Sequence, residues 1–209
     1  MPRSVTSLQT VAAPNAEASD QGAALLVRCQ QRDERALAEL IQVYQQRVYR
    51  LALRVCGDTG LAEEAAVDSF YKIWTKASQW RGQTGADTWI YRIAVRTVLD
   101  LRRGRRRWWQ RLRAVGLWDD EDPAPGPAEE AIACEERQAT CEQLEQALLT
   151  LKPDDRLLVH LYYDEANSLP KISEILNVPA ENLKMRLARA RQRLRDALSA
   201  SSGVSDARG

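Results

Sequence analysis

An apolar stretch, a turn and a strongly basic stretch follow one another at residues 169–195 of this 209-residue chain. The apolar stretch has helical spacing and ends at Asn177, a residue type that tolerates the left-handed backbone found at helix ends. Pro179 suits the first turn of a second helix. The basic residues of that second helix are Lys184, Arg186, Arg189, Arg191, Arg193 and Arg195. Two helices with a tight turn and a basic second member are the common arrangement for reading a DNA groove.

The basic stretch has an apolar back and cationic sides when it is drawn as a helix. With Leu183 at the centre of the apolar face, Leu187, Ala190 and Leu194 fall within about 40° of it. Met185 lies on the opposite side, so a narrow front can enter a groove while the flanks meet phosphates. A merely solvated basic helix is the alternative, but few acidic residues lie nearby to balance these charges. The DNA-binding candidates here are Asn182, Lys184, Met185, Arg186, Arg189 and Arg193.

Composition favours an all-helical chain, because Leu, Ala, Arg and Glu dominate and 44% of the residues are apolar. The 30 basic and 29 acidic residues nearly cancel, so segregation of charge is more informative than net charge. No run approaches the roughly 18 apolar residues of a membrane span, and the N-terminus lacks a signal-peptide pattern. These features predict a cytoplasmic protein without direct membrane insertion.

Helical periodicity divides the chain into two predicted domains. Between them, the acidic segment DDEDPAPGPAEE at 119–130 contains three prolines and cannot bury enough surface to fold. The predicted fold is therefore all-α, with two helical domains joined by a flexible acidic Pro-rich linker and a helix-turn-helix in the second. The predicted boundaries are a disordered lead over 1–22, a domain over 23–113, a linker over 114–133, a domain over 134–199 and a tail over 200–209.

Three helices are predicted in the first domain. One has an apolar stripe from Leu37 to Val55 and ends at Gly57. The next spans 61–77 and buries Phe70 and its neighbours on one side. The opposite face of that helix carries Glu64, Asp68, Tyr71 and Thr75. The third runs to about Arg103, with Asp87 or Thr88 as its cap.

A glycine-rich loop at 79–85 precedes the third helix. Such a loop with an aromatic residue and polar side chains can capture an unstacked base. We expect Trp80 to belong to the core and Arg81 and Gln83 to face outward. Farther along, the arginines between 102 and 113 are interleaved with two tryptophans, Trp108 and Trp109. That pattern suits single-stranded or junction DNA, or alternatively a basic helix end favoured by the helix dipole.

Residues for catalysis or metal binding are sparse. The four cysteines, Cys29, Cys56, Cys134 and Cys141, have no paired short spacing, and the single histidine, His160, has no evident partner in the sequence. The carboxylates concentrate in the Pro-rich segment, so a metal-dependent nuclease is disfavoured. We predict no enzyme activity, no catalytic residue, no metal site and no cofactor.

Two blocks of the sequence resemble the extracytoplasmic-function (ECF) sigma factors of bacterial RNA polymerase, in the sigma-70 family. GDTGLAEEAAVDSFYKIW at 57–74 and TWIYRIAVRTVLDLRR at 88–103 are similar to the second conserved region of that family. The segment 147–198, which contains the helix-turn-helix, is similar to its fourth conserved region. The order and spacing of both blocks make the resemblance specific, although neither block alone would.

The resemblance implies a subunit that binds core RNA polymerase and directs it to promoter DNA. The polymerase contacts would be Glu64, Asp68 and Tyr71. The minus-10 promoter contacts would be Arg81, Gln83, Arg92, Arg96 and Arg103. The basic helix would read the minus-35 element, and a separate anti-sigma factor is an expected partner. The alternative is a stand-alone helix-turn-helix regulator that never binds polymerase.

Overall fold

The computed structural model describes residues 15–114 and 143–205, which form helices joined by short loops. The helices of the N-terminal domain are α1 (Asn15–Gln30), α2 (Glu34–Cys56), α3 (Thr59–Lys76) and α4 (Ala86–Ala114), with a 3-10 turn at Ala77–Gln79. In the C-terminal domain, residues 143–149 are helical and are labelled α5. They are followed by α6 (Pro153–Val159), a π-helical turn (His160–Asp164), α7 (Leu169–Leu176) and α8 (Ala180–Ser205). The all-α prediction is confirmed.

Local capping sets the helix boundaries that the sequence predicted. Gly57 ends α2 with a left-handed backbone at φ 67°, as predicted. Asp58 then caps α3, because its carboxylate accepts a hydrogen bond from the backbone N–H of Leu61 at 2.7 Å. Ser168 caps α7 in the same way, and Asn177 ends it at φ 54°. The turn of the helix-turn-helix therefore lies where the sequence placed it.

The N-terminal domain packs around α2. The predicted apolar stripe is confirmed, with Leu40, Tyr44, Val48, Leu51 and Val55 each fully buried. These residues contribute to two apolar clusters, one shared with α1 and the 3-10 turn and one extending towards the C-terminal domain. Helices α3 and α4 both pack against α2, so their polar faces point away from it.

Three predicted boundaries are wrong. Residues 15–22 were assigned to the disordered lead, but they are the first turns of α1. Gly22 lets α1 approach α2 closely, since a Cβ there would collide with the Tyr44 hydroxyl. Helix α4 continues past Arg103 to Ala114, and α8 continues through residues 200–205 of the predicted tail. The α4 extension consists mainly of good helix formers, whereas residues 200–205 of α8 include Ser, Gly and Val, which favour a helix less. The predicted linker beyond Ala114 lies outside the described residues.

Asp87 is not a helix cap in the manner predicted. It lies in the first turn of α4, and its buried carboxylate accepts a hydrogen bond from the Tyr44 hydroxyl at 2.5 Å. Its side chain is thus directed at α2 rather than at the N-terminus of its own helix. The reason is tertiary, because Tyr44 and Arg47 of α2 surround the carboxylate.

The two domains share one apolar core. Leu51 and Val55 of α2 and Val95 of α4 belong to the same buried cluster as Leu157 and Ile172 of the C-terminal domain. Contacts between α2 and α6 and between α4 and α7 form this shared region. The structure is therefore a closed arrangement in which the helix-turn-helix rests against the N-terminal domain.

Candidate nucleic-acid interface

Helix α8 presents the faces that its sequence predicted. Leu183, Leu187 and Ala190 are buried, and they fix the helix against α6 and α7. Met185 is 57% exposed at the centre of the outer face. Asn182, Lys184 and Arg189 are exposed beside it. A buried back and an exposed polar front are what insertion into a DNA groove requires.

An acidic residue of α6 holds two arginines on one flank of α8. Asp155 accepts hydrogen bonds from Arg186 Nε at 3.2 Å and from Arg186 Nη2 at 2.9 Å. Arg193 approaches the other oxygen of the same carboxylate at 3.4 Å. Both guanidinium groups are thus aligned along the flank where phosphates were predicted to lie. Any phosphate contact of Arg186 or Arg193 has to compete with Asp155.

Arg191, on the other flank, has a structural role that the sequence did not indicate. Its Nε donates a hydrogen bond to the Tyr163 hydroxyl at 2.6 Å. Its guanidinium also stacks over the rings of Tyr162 and Tyr163, at 5.4 and 5.5 Å from their centroids. The hydrogen bond to Tyr163 raises the pKa of Arg191 above its usual value. This contact joins the middle of α8 to the π-helical turn.

The loop between α3 and α4 is held in place by hydrogen bonds and exposes two polar side chains. Trp80 is only 9% exposed, and its Nε1 donates to the backbone carbonyl of Thr84 at 3.0 Å, so its predicted core position is confirmed. Gln30 donates to the Trp80 carbonyl at 2.8 Å and thereby ties the loop to α1. Arg81 and Gln83 are exposed between these anchors. Their side chains are accessible to a nucleic acid, as predicted.

The three candidate arginines of α4 differ in their exposure and in their hydrogen-bond partners. Arg96 is exposed, and Arg103 is exposed with a 3.3 Å contact to Asp100. Arg92, in contrast, donates through Nε to the backbone carbonyl of Glu174 in α7 at 2.7 Å. Arg92 is therefore engaged with the helix-turn-helix in the closed arrangement. The side chains of Trp108 and Trp109, part of the predicted single-strand contact, lie outside the described residues.

The outer face of α3 combines apolar and acidic residues. Glu64 and Tyr71 are exposed as predicted, and Asp68 is half-buried. Val67, which is not among the predicted contacts, is 70% exposed beside Tyr71 at 66%. An apolar β-branched residue on the outer face of an amphipathic helix was the sequence signal that could have identified Val67 as a contact residue. A shallow cleft of about 690 Å³ between α3 and α4 borders this face. Exposed apolar side chains with a polar rim are typical of protein–protein contact surfaces.

A buried polar cluster joins the two domains. Arg47 of α2 donates to Glu165 at 2.9 Å through Nε and lies 2.8 Å from it through Nη2. Burial alone would lower the pKa of Arg47, but the neighbouring Tyr91 hydroxyl and the carboxylates of Glu165 and Asp87 together raise it. Burial, and then Tyr91's proximity to Glu165, raise the pKa of Tyr91. The sequence could not reveal this cluster, because its members are far apart along the chain.

His160 has partners, contrary to the expectation from the sequence. Its Nδ1 lies 2.7 Å from the carboxylate of Asp164, and its Nε2 lies 3.9 Å from Glu165. The hydrogen bond with His160 holds the pKa of Asp164 below its usual value, against the effect of partial burial. Arg54 of α2 approaches Asp164 at 3.6 Å. His160 thus belongs to the domain boundary.

Two of the four cysteines can be placed. Cys29 and Cys56 are buried free thiols. Burial raises the pKa of Cys56 to about 11, so this thiol stays protonated at neutral pH. Cys134 and Cys141 lie outside the described residues.

Across residues 15–114 and 143–205, no group of three or more His, Cys, Asp or Glu side chains could hold a metal ion. Over the same ranges, every helix is too short or too polar to cross a membrane.

Comparison with known protein families matches both domains. The family model described as Sigma-70 region 2 matches residues 40–108, and the model described as Sigma-70, region 4 matches residues 147–196. The first match covers most of α2, α3 and most of α4. The second covers the helix-turn-helix and the helices that support it. Both agree with the blocks that carried the resemblance.

Characterised relatives match along most of their length. The RNA polymerase sigma-H factor of Pseudomonas aeruginosa is 30% identical over 191 residues, covering 86% of this chain and 94% of that protein. The ECF RNA polymerase sigma factor SigK of Mycobacterium tuberculosis is 30% identical over 179 residues, covering 85% and 94%. The ECF RNA polymerase sigma factor SigW of Bacillus subtilis is 28% identical over 172 residues, covering 79% and 90%.

Solved structures share the fold. CnrH in complex with the cytosolic domain of CnrY matches with a TM-score of 0.62 at 16% identity, covering 87% of this chain and 98% of that chain. The sigma factor RpoE of Bartonella quintana, in complex with the anti-sigma factor NepR, matches with a TM-score of 0.61 at 18% identity. That match covers 78% of this chain and 96% of that chain.

Proposed function

The chain belongs to the ECF sigma factors of the sigma-70 family, and on this basis we propose how its two domains divide promoter recognition between them. As an RNA polymerase sigma factor, it directs promoter-specific initiation of transcription. Core RNA polymerase and promoter DNA are its partners.

The C-terminal domain reads the minus-35 element through α8. The observation that carries this assignment is the outer face of α8, where Met185 stands exposed opposite the fully buried Leu183. Met185 offers an apolar contact to a base edge, for example to a thymine methyl group. Asn182 and Lys184 are next to it, and the arginines of the flank meet phosphates. Those arginines are Arg186, Arg189 and Arg193.

The N-terminal domain contacts both polymerase and the minus-10 element. The outer face of α3 is the polymerase contact, with Val67 and Tyr71 as its apolar centre and Glu64 and Asp68 as charged neighbours. Arg81 and Gln83, displayed by the loop, are placed to receive an unpaired base. Arg96 and Arg103 on α4 contact the adjacent DNA, and Arg92 joins them when it is released from Glu174.

A separate anti-sigma factor is a further proposed partner, since two structural relatives were solved with such a partner or with a cytosolic protein domain. We place its contact in a groove of about 530 Å³ between α6 and α8, where Leu144, Leu148 and Leu198 form an apolar lining. Arg54 and Arg195 also line this groove, so an acidic amphipathic helix is the complementary occupant. We propose that the protein acts in the cytoplasm and catalyses no reaction itself.

Reconstitution with core RNA polymerase tests the proposed function. The purified full-length chain should form a complex with core polymerase and start transcription at a discrete set of promoters. Mapping the transcript start sites on genomic DNA identifies the minus-10 and minus-35 elements. Specific binding of the free chain to duplex DNA, with no complex and no transcript, would favour the stand-alone regulator instead.

A further inference from the structure

We propose that the groove between α6 and α8 binds an alkyl carboxylate, with the carboxylate paired to Arg156 and the alkyl chain against the leucines that line the groove. Binding requires only the folded chain. Its consequence rests on the proposed function, because the same groove is the proposed contact of an acidic helix of the anti-sigma factor. A bound alkyl carboxylate would exclude that helix and so release the sigma factor from its partner.

Arg156 of α6 is a buried cation that lacks a carboxylate partner within the described residues. It is only 6% exposed, and no hydrogen-bond acceptor of residues 15–114 or 143–205 reaches its Nε or Nη1. Burial lowers the pKa of Arg156, and the nearby charge of Arg102 lowers it further. The guanidinium has given up hydration without gaining an ion pair, which is unfavourable. An anion that pairs with Arg156 would therefore restore the interactions that this side chain lost on folding.

The groove that Arg156 lines is cationic. Its volume of about 530 Å³ lies within the range of about 300–1,000 Å³ that is typical of small-molecule sites. Among the described residues that line it, the carboxylate is that of Asp164, which already lies 2.7 Å from His160. Positive charge in a cleft with low-dielectric walls attracts an anion. The arginines that line the groove outnumber Asp164, and they are Arg54, Arg156, Arg191 and Arg195.

The groove also has an apolar wall. Leucines of α5 and α8 form this wall together with Val159 of α6, and they are Leu144, Leu148, Leu194 and Leu198. An alkyl chain along these leucines leaves water, which strengthens binding by about two- to fourfold for each buried methylene. A cationic floor and an apolar wall together are complementary to a carboxylate that carries an alkyl chain.

The burial of Arg156 favours a slim ligand over a helix. An α-helix with its side chains is about 10–12 Å wide, whereas an alkyl chain is much thinner. Because Arg156 is more than nine-tenths buried, a narrow headgroup is the better fit to its guanidinium. A free phosphate is also narrow, but it would leave the leucines in contact with water. The alkyl carboxylate is therefore the ligand class that uses both the charge and the apolar wall.

Isothermal titration calorimetry on the full-length chain tests the proposal, with octanoate, decanoate and dodecanoate as probes below their micelle-forming concentrations. We expect a single molecule to bind per chain, with affinity rising about two- to fourfold per methylene. Decanol has the same tail as decanoate without the charge, so it should bind roughly tenfold more weakly. Equal affinities for decanoate and decanol, or no binding of any of the three carboxylates, would overturn the proposal.

Two variants locate the ligand in the groove. Arg156→Met replaces the charge with an apolar chain of similar length and should weaken decanoate binding roughly tenfold, while the urea midpoint of the free chain stays equal or rises. A lower midpoint with unchanged decanoate affinity would make Arg156 a structural residue and overturn the proposal. Leu144→Gln changes a 44% exposed position of the apolar wall and should weaken decanoate binding about threefold. This second variant decides the question if Arg156→Met does not fold.

Arg35→Met is the matched control. Arg35 is exposed in the first turn of α2, away from the residues that line the groove. The substitution removes the same kind of charge, and decanoate affinity should equal that of the wild type. Unchanged decanoate affinity in both groove variants would place the ligand elsewhere and overturn the proposal.

Competition with a peptide separates this site from the proposed function. The probe is a labelled amphipathic helical peptide of Leu and Glu, which decanoate should displace from the full-length chain. A peptide that binds the groove while decanoate does not bind would overturn the proposal and assign the groove to a protein partner alone. Calorimetry requires no polymerase, so a chain that starts no transcription would refute the proposed function and leave the decanoate result to decide the site.

Discussion

Asp155 of α6 accepts two hydrogen bonds from Arg186 of α8, so a carboxylate lies on the flank of the helix proposed to face DNA phosphates. The contact has two opposing effects. It orients the guanidinium and anchors α8 to its supporting helix, and it also places a negative charge where an anion should bind. Because Arg193 shares the same carboxylate, one acidic residue influences two candidate phosphate contacts.

Asp155→Asn should strengthen binding to all duplex sequences. Loss of the carboxylate frees both arginines for phosphates, so the slope of log affinity against log salt should steepen by roughly one to two units. Stability should fall by about 1 kcal/mol, because the charged hydrogen bonds to α8 are lost. Asp154→Asn is the matched control, since Asp154 is exposed in the same helical turn. Weaker binding by the Asp155 variant would show that orientation of Arg186 matters more than its release.

Arg189→Ala and Met185→Ala should have different effects on DNA binding. Arg189 lies on the flank, so its loss should weaken binding about equally on all sequences and reduce the salt slope by roughly one unit. Met185 lies at the front, so its loss should change discrimination at one base position by about 1–3 kcal/mol. A salt series on a panel of minus-35 variants measures both. If Arg189→Ala altered base preference at an unchanged salt slope, the helix would be rotated in the groove relative to our proposal.

Asp68→Arg should weaken binding to core polymerase at least tenfold. The charge reversal lies next to the exposed Val67 and Tyr71 and leaves the helix-turn-helix untouched. Affinity for a minus-35 duplex, measured with the same full-length variant, should stay within the error of the wild type. Asp20→Arg on α1 serves as the control, because it reverses an exposed acidic residue elsewhere in the same domain. A loss of helical signal on Asp68→Arg would mean that Asp68 is a structural residue.

Features that depend on neighbouring residues were predictable from the sequence. The stripe of α2, the end of that helix at Gly57 and the turn at Asn177 follow from local periodicity and from the backbone preferences of single residues. The faces of α8 follow from the same helical geometry. The α3 candidates Glu64 and Tyr71 are exposed because the apolar stripe opposite them is buried.

Features that depend on distant residues were not predictable. Arg47 and Glu165 are 118 positions apart, and neither has a local pattern that indicates the other. The same holds for Arg92, which the family resemblance makes a DNA-contact candidate but whose hydrogen bond goes to Glu174 in α7. Asp87 resembled a helix cap because it is an aspartate near the start of α4. Its true partner, Tyr44, lies 43 positions away and is adjacent to it only in the folded chain. The closed arrangement as a whole is a tertiary property of this kind.

The stability of the domain boundary should decrease at acidic pH through Asp164. Its pKa is lowered in the folded chain, so its stabilising contribution is complete above the usual aspartate value of about 3.9. The contribution is lost as the pH falls through the lower folded-state pKa. Asp164→Asn should therefore reduce the free energy of unfolding at pH 6 by less than about 1 kcal/mol, because it removes a carboxylate that contacts His160 and Arg54 and that solvent partly screens. Urea titrations should show this difference shrinking below pH 4. A difference that persisted at pH 2.5 would assign the effect to packing instead.

Gly22→Ala should destabilise the chain, although alanine is normally the better helix former. The new methyl group would collide with the Tyr44 hydroxyl, and Tyr44 cannot move aside because it is fully buried and hydrogen-bonded to Asp87. Overpacking of this kind costs about 1–3 kcal/mol, measurable as a lower urea midpoint at an unchanged slope. Gly60→Ala is the control, because its Cβ would meet only an Asp58 carboxylate oxygen at an ordinary 3.5 Å. That variant should be neutral or slightly more stable. Equal or greater stability of Gly22→Ala would mean that the first turns of α1 do not pack on Tyr44.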